Sequence, residues 1–154
     1  SLTEYLRAAV PRLDGSANTL GQELELVRAY LELMQMRMPD RLAFALHVAP
    51  AVQLLRCPPM TLLTLVENAV QHGIDPSEEG GRIDVHAEAL EGGGCRLRVV
   101  DTGLGLQASG GGLGTGLAAL RERLLWAYGD SATLTLNEVA PQGVEAVIEF
   151  SGSP

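Results

Sequence analysis

The fold these 154 residues predict is a two-layer α/β sandwich. It has a mixed sheet of about five strands, about three helices on one face and an N-terminal helical segment. Three observations lead there. Apolar periodicity switches from helical to alternating and back along the chain, so helices and strands come in mixed order. The alternating runs are short and end in turn residues, as half-buried strands do. An apolar content of 46% is enough to bury the core of one ordinary domain, with thirty-odd residues at the front as a separate helical piece.

The first element is a short helical pattern at Leu2, Leu6, Ala9, Val10 and Leu13, interrupted by Pro11 and lacking an N-cap, as if a longer helix had been cut. Asp14 to Asn18 is a polar connector. Thr19, with Gln22 three residues on, forms a capping-box signature for a helix that runs to about Met38 and stops at Pro39-Asp40. Along it Leu20, Leu24, Val27, Leu31, Met34 and Met38 follow a 4-3-4-3-4 spacing, a heptad seam of under three heptads. Two readings stay open for the seam: a helix packing on its own core, or one that docks on a partner or leads out of a coiled-coil dimer.

From Leu42 the period becomes two, with Phe44, Leu46 and Val48 alternating with Ala43, Ala45 and His47. Pro58-Pro59 opens the next helix, where missing amides do no harm, and Gly73 is expected to end it. Ile83, Val85, Ala87 and Ala89 make a second strand, Glu91 to Gly94 a turn, and Cys95, Leu97 and Val99 a third strand. A glycine-rich loop spans Gly103 to Gly116, followed by a helix from about Leu117 to Tyr128. Two last strands, about Ala132 to Val139 and Val144 to Phe150, are joined by a turn at Pro141 to Gly143.

All eleven basic residues are arginine, and nineteen acids set the net charge at −8, so a basic footprint for nucleic acid is lacking. Cys57 and Cys95 stand in no metal-like spacing and read as reduced core thiols of a cytosolic domain, with a disulfide as the alternative. No apolar run approaches the roughly 18 residues of a membrane span, and no signal peptide opens the chain. A soluble piece is the expectation.

Three segments carry candidate chemistry. On the helix after Pro59, at about 100° per residue, Thr61, Thr64, Glu67, Asn68, Gln71 and His72 share one arc and the leucines and valines the other. Asparagine and threonine are poor helix formers, an odd choice for a merely solvated face. Asp101 ends a strand, where a partly buried acid needs donors such as an adenine amino group. Gly103 and Gly105 would let a flat ring approach the backbone. Gly110 to Leu117 leads into a helix whose first amides favour phosphate oxygens. A Walker A loop needs a lysine, which the chain lacks, and the G-x-G-x-x-G spacing of dinucleotide domains is unmatched. Taken singly, each segment is also compatible with a solvated helix face or an ordinary turn.

In this order and spacing the three are far more specific. Pro58 to Gly73 resembles the N-box, Val100 to Gly105 the first glycine box and Gly112 to Leu117 the second of the GHKL ATPase superfamily, which groups gyrase, the heat-shock chaperone, histidine kinases and MutL. The Val-Glu-Asn-Ala-x-x-His-Gly form, with Glu23 to Glu32 before it and Leu120-Arg-Glu-Arg-Leu124 after, is similar to the LytS-like sensor histidine kinases. That resemblance implies a Bergerat-type sandwich. Residues 1–38 would be a helical remnant of the dimerisation and phosphoacceptor region, and residues 39–154 a catalytic ATP-binding domain.

It also implies roles. Asn68 would give its oxygen to a Mg²⁺ bridging the ATP phosphates, and Glu67 beside it would be a base or an orienting group. Gln71 and His72 would line the ATP site, Asp101 would accept the adenine amino group, and Gly103 and Gly105 would shape the purine slot. Leu106 to Gly112 would form a lid, and Gly114, Thr115, Gly116 and Leu117 would turn amides to the phosphates. Gln71, Leu63 and Ala119 stand where related proteins often carry lysine, glutamine and asparagine. The missing lysine implies a weaker hold on the triphosphate unless Arg121 or Arg123 replaces it.

Kinases of this kind phosphorylate a histidine on a dimerising helix, whereas His47 and His86 fall on predicted strands and His72 in the N-box. The acceptor is therefore expected upstream of Ser1, in a homodimeric full-length protein of the bacterial inner membrane that passes phosphate to a response regulator. The competing expectations are a GHKL ATPase or serine-directed anti-sigma kinase, and a degenerate nucleotide-binding module that works by pairing.

Overall fold

The computed structural model describes residues 19–58, 60–103 and 115–151. Helix α1 spans Leu20–Arg37 and opens with the expected capping box: Thr19 Oγ1 accepts from the Gln22 amide at 3.3 Å, and Gln22 Oε1 from the Thr19 amide at 2.9 Å. All six residues of the heptad seam are buried in the common core, and α1 packs on the next helix, so the core-packing reading of the seam holds. The start of α1 is pinned by backbone bonds from Leu20 to Leu55 (2.8 Å) and from Gly21 to Gln53 (2.9 Å).

Strand β1 (Leu42–Val48) and a 3₁₀ turn (Pro50–Val52) lead to helix α2 (Thr61–Asn68). The helix does not end at Gly73 as the sequence suggests. It passes into a π-helical turn, Ala69–Ile74, that carries the chain through that glycine. Strands β2 (Gly81–Ala89) and β3 (Cys95–Asp101), helix α3 (Thr115–Tyr128), a 3₁₀ turn (Gly129–Ser131), β4 (Ala132–Glu138) and β5 (Val144–Phe150) complete the fold.

The five strands lie in the order β1-β2-β3-β5-β4, with β1 and β2 parallel and every other pair antiparallel, the mixed sheet expected. Alternation decides its two faces. Ile83, Val85, Ala87, Cys95, Leu97, Val99, Ala146, Ile148 and Phe150 are buried in one core with Leu62, Val66, Leu120 and Leu124 of the helices. The residues between them carry paired charges: Arg96 with Glu149 at 2.6 Å, Arg98 with Glu145 at 3.0 Å and Arg82 with Asp84 at 2.8 Å. These half-exposed pairs contribute little stability each. Cys57 and Cys95 are separate buried thiols, and burial pushes Cys95 up to about 11.

Candidate functional site

The side chains of α2 depart from the single polar arc its sequence suggests. Thr61 and Thr64 are buried, and their hydroxyls donate back to the Pro58 and Met60 carbonyls at 2.6 Å each. A threonine that bonds one turn back hides its polarity, so the first half of the arc faces the interior. Glu67 and Asn68, at the end of α2, are half-buried, and Gln71 and His72, on the π turn, are exposed. The wider turn, seen in the bond from the Asp75 amide to the Val70 carbonyl (2.8 Å), breaks the 100° progression that placed all six residues together.

Both ends of this segment are held by charges from elsewhere. At its start the Glu23 carboxylate accepts from the amides of Met60 (3.1 Å), Leu62 (3.0 Å) and Leu63 (3.0 Å). At its end Arg41 Nη2 donates to the carbonyls of Ile74 (3.3 Å), Asp75 (2.9 Å) and Ser77 (2.6 Å). Neither residue stands among the sequence candidates. Glu23 had one usable signal: an acid inside the apolar stripe, three residues after Leu20 and four before Val27.

Asp101, the last residue of β3, is 3% exposed and bounded by three glycines. A Cβ on Gly73 would lie 2.7 Å from Asp101 Oδ1, one on Gly103 would strike the Gly73 carbonyl, and one on Gly143 the Asp101 carbonyl. The same Oδ1 accepts from the Gly103 amide at 2.9 Å. Burial pushes the carboxyl up to about 6, with the Gly103 and Val144 amides pulling partly back. The buried acid expected at this strand end is present, and the donor it meets is a backbone amide. Gly103 does more than clear a slot, since its lack of a side chain lets it meet Gly73.

Thr115, Gly116 and Leu117 form the first turn of α3, whose opening amides have no partner within the helix. The Leu117 side chain is buried in the core, so only its main chain is available to a ligand. Gly105, Gly112, Gly114 and the whole Leu106 to Gly112 lid lie outside the described residues. Of the two arginines on α3, Arg123 turns toward α2, its Nη2 donating to Thr64 Oγ1 at 3.3 Å, while Arg121 is exposed beside the groove between α3 and β4.

Tyr30 of α1 is buried, and its phenol is raised far above the usual range, first by burial and next by the charge of Glu67. His47 and His86 stack on the charged face of the sheet, with ring centroids 4.6 Å apart. The structure thus joins the end of the α2 segment to the Asp101 turn through Gly73, and joins α3 to α2 through Arg123.

Comparison with known proteins gives a consistent picture. The model of the family described as histidine kinase-, DNA gyrase B- and HSP90-like ATPase matches residues 58–153, and a histidine kinase model matches residues 1–42. Sensor histidine kinase YesM of Bacillus subtilis is 31% identical over 134 residues, covering 84% of this chain and 23% of that protein. Sensor histidine kinase/phosphatase LytS of Staphylococcus aureus is 32% identical over 145 residues, covering 86% of this chain and 25% of that protein. The chain therefore spans about a quarter of these relatives. Among solved structures, the catalytic domain of histidine kinase ThkA superposes with a TM-score of 0.65 at 16% identity, over 88% of this chain and 95% of that one. Full-length ShkA in complex with AMPPNP gives a TM-score of 0.58 at 22% identity over 83% of this chain and 30% of that one. ThkA in complex with response regulator TrrA gives 0.60 at 16% identity, over 86% and 40%. At these identities the structural matches carry the fold.

Proposed function

This chain belongs to the histidine kinase-, DNA gyrase B- and HSP90-like ATPase family, and from that premise we propose that it is the ATP-binding catalytic module of a two-component sensor histidine kinase. The observation that carries the reading is Asp101: a buried carboxylate at a strand end, fixed against Gly73 and Gly103, directly beside the segment that bears Glu67 and Asn68. Such a group serves no core-packing purpose, because burying a carboxyl costs free energy that an adenine amino donor would return.

In this reading Asp101 accepts the adenine amino group, while Gly103 and Gly105 leave room for the ring. Gln71 and His72, exposed on the π turn, border the nucleotide. The amides of Gly114, Thr115, Gly116 and Leu117 face the phosphates, where the positive end of α3 favours them, with Gly112 at the edge of the lid. The Asn68 amide oxygen suits Mg²⁺, a hard cation that takes oxygen ligands and keeps phosphates and waters as its others. When bound, that ion neutralises charge on the phosphates. Glu67, half-buried next to Asn68, is the group at hand to take a proton from the attacking imidazole or to orient it. The imidazole nitrogen attacks the γ-phosphorus and ADP leaves.

The acceptor histidine lies upstream of this chain in the proposal, with residues 1–38 as the tail of the dimerisation region. His47 and His86 are locked in the sheet. The proposal extends to a homodimeric, membrane-linked full-length protein with a response regulator as partner; what supports it is the likeness to sensor histidine kinases and to ThkA, solved with its response regulator. Among the described residues no helix is long and apolar enough to cross a membrane, so any membrane link runs through other segments.

The test is thermal unfolding with and without Mg-ATP, followed by incubation with labelled ATP. Ligand at a hundredfold its dissociation constant stabilises by about 2.7 kcal/mol. The expected result is stabilisation, its loss in Asp101→Asn, and no acid-labile phosphate on the chain. Absence of any shift with adenine nucleotides overturns the reading in favour of a module that works by pairing alone.

A further inference from the structure

Helix α2 has only eight residues, and its N-cap, Met60, sits in left-handed backbone at φ 67° with no capping side chain of its own. A helix this short is not stable alone, and its first amides have no partners within it. Thr61 bonds the Pro58 carbonyl at 3.3 Å, and the Met60, Leu62 and Leu63 amides all go to Glu23, which is 1% exposed. The cap therefore comes from α1, 37 residues away from Met60. Arg41 matches it at the far end on three carbonyls, so an acid meets the amide end and a cation the carbonyl end, as the helix dipole favours. Between the two clamps Tyr30 of α1 feels the charge of Glu67.

We propose that Glu23 is a positioning residue for nucleotide binding: by filling the N-terminus of α2 it fixes Glu67 and Asn68 relative to α1, so that movement of α1 changes the nucleotide site. This rests on the ATP-binding reading of Asn68. The histidine kinase model that matches residues 1–42 includes α1, so the clamp joins the segment leading from the phosphoacceptor region to the cation ligand. A purely structural Glu23 would stabilise the fold without setting the site.

The two are separated in the 154-residue chain with Glu23→Gln, which keeps the shape but turns an amide NH₂ toward backbone donors. Ile148→Val is a destabilised core variant on β5, outside α1, α2 and the clamp. Titration calorimetry with Mg-ADP reads the site, and amide hydrogen exchange reads the helix. Glu23→Gln should weaken Mg-ADP at least tenfold and lose protection over 60–74, while Val85, Leu97 and Val147 stay protected. Ile148→Val should bind as wild type. Wild-type affinity with unchanged exchange in Glu23→Gln overturns the proposal, as does an affinity loss no larger than that of Ile148→Val. If wild type itself binds no adenine nucleotide, the ATP reading fails, and the exchange pattern alone decides whether Glu23 fixes the segment. Unaltered protection over 60–74 then overturns it.

Discussion

Gly73 is the surface on which the Asp101 carboxylate rests: a Cβ there would lie 2.7 Å from Oδ1, 3.0 Å from Cγ and 3.2 Å from Oδ2. Gly103 in turn must lack a side chain, because a Cβ there would strike the Gly73 carbonyl. The end of the N-box and the first glycine box are thus one interlocked unit. The glycines serve this contact before they serve any ligand.

Gly73→Ala should cost about 1–3 kcal/mol, the usual range for overpacking a tight site. It should also abolish stabilisation by Mg-ATP, because the displaced group is the proposed adenine acceptor. Urea unfolding gives the first quantity and nucleotide-dependent melting the second. A variant that keeps both would mean that Asp101 can retreat without consequence.

The raised carboxyl of Asp101 makes a signed prediction. Its folded pKa of about 6 stands above its ordinary 3.8, so between those values the folded form holds a proton that the unfolded chain has released. The contribution of Asp101 to stability therefore falls as pH rises from about 4 to about 6 and is level above that. Asp101→Asn cannot titrate. The stability difference, wild type minus variant, should decline through that window by an amount on the order of 3 kcal/mol, from 1.36 kcal/mol per unit. Paired denaturant titrations at about pH 3 and about pH 7 span the window, and a flat difference would show that folding leaves the carboxyl at its ordinary value.

Arg123 and Arg121 should separate in the same way. Only Arg123 reaches α2, at Thr64, one helical turn before Asn68, whereas Arg121 stands exposed. In the ATP-binding proposal, Arg123 is the arginine of α3 assigned to stand in for the missing lysine. Arg123→Ala is expected to weaken Mg-ATP about tenfold, and more than it weakens Mg-ADP, in line with the 1.5–3 kcal/mol or so of a charged hydrogen bond. Arg121→Ala should stay within about twofold. Equal effects would remove Arg123 from the site.

Much of this was legible in the sequence where periodicity is the signal. The strands, the capping box and the heptad seam emerge from spacing alone, because burial of a stripe leaves a period behind. What was hidden has no period. Thr61 and Thr64 look like a ligand-facing arc, yet their hydroxyls satisfy carbonyls of the preceding turn. The π turn shifts Gln71 and His72 by rearranging backbone bonds, without any marker residue. Glu23 is marked by its place in the apolar stripe, but its partners are amides 37 to 40 positions on, which no local spacing shows. The contact between Gly73 and Asp101 was equally invisible, since it depends on where a strand end meets a helix end.

Burial of the seam predicts that the folding unit begins before residue 39. Leu20, Val27 and Leu31 are fully buried, and α1 packs against α2, so removing residues 19–38 would strip a wall from the core. It would also leave the Met60, Leu62 and Leu63 amides without their acceptor. Each buried donor left unpaired costs about 1–3 kcal/mol, against a typical total stability of about 5–15 kcal/mol. A chain starting at residue 39 should therefore lose cooperative unfolding and bind a hydrophobic dye. Leu31→Ala offers a milder version, with an expected loss of about 2–5 kcal/mol. Cooperative melting of the 39–154 piece within a few degrees of the full chain would show that α1 is an appendage and that its seam belongs to a partner.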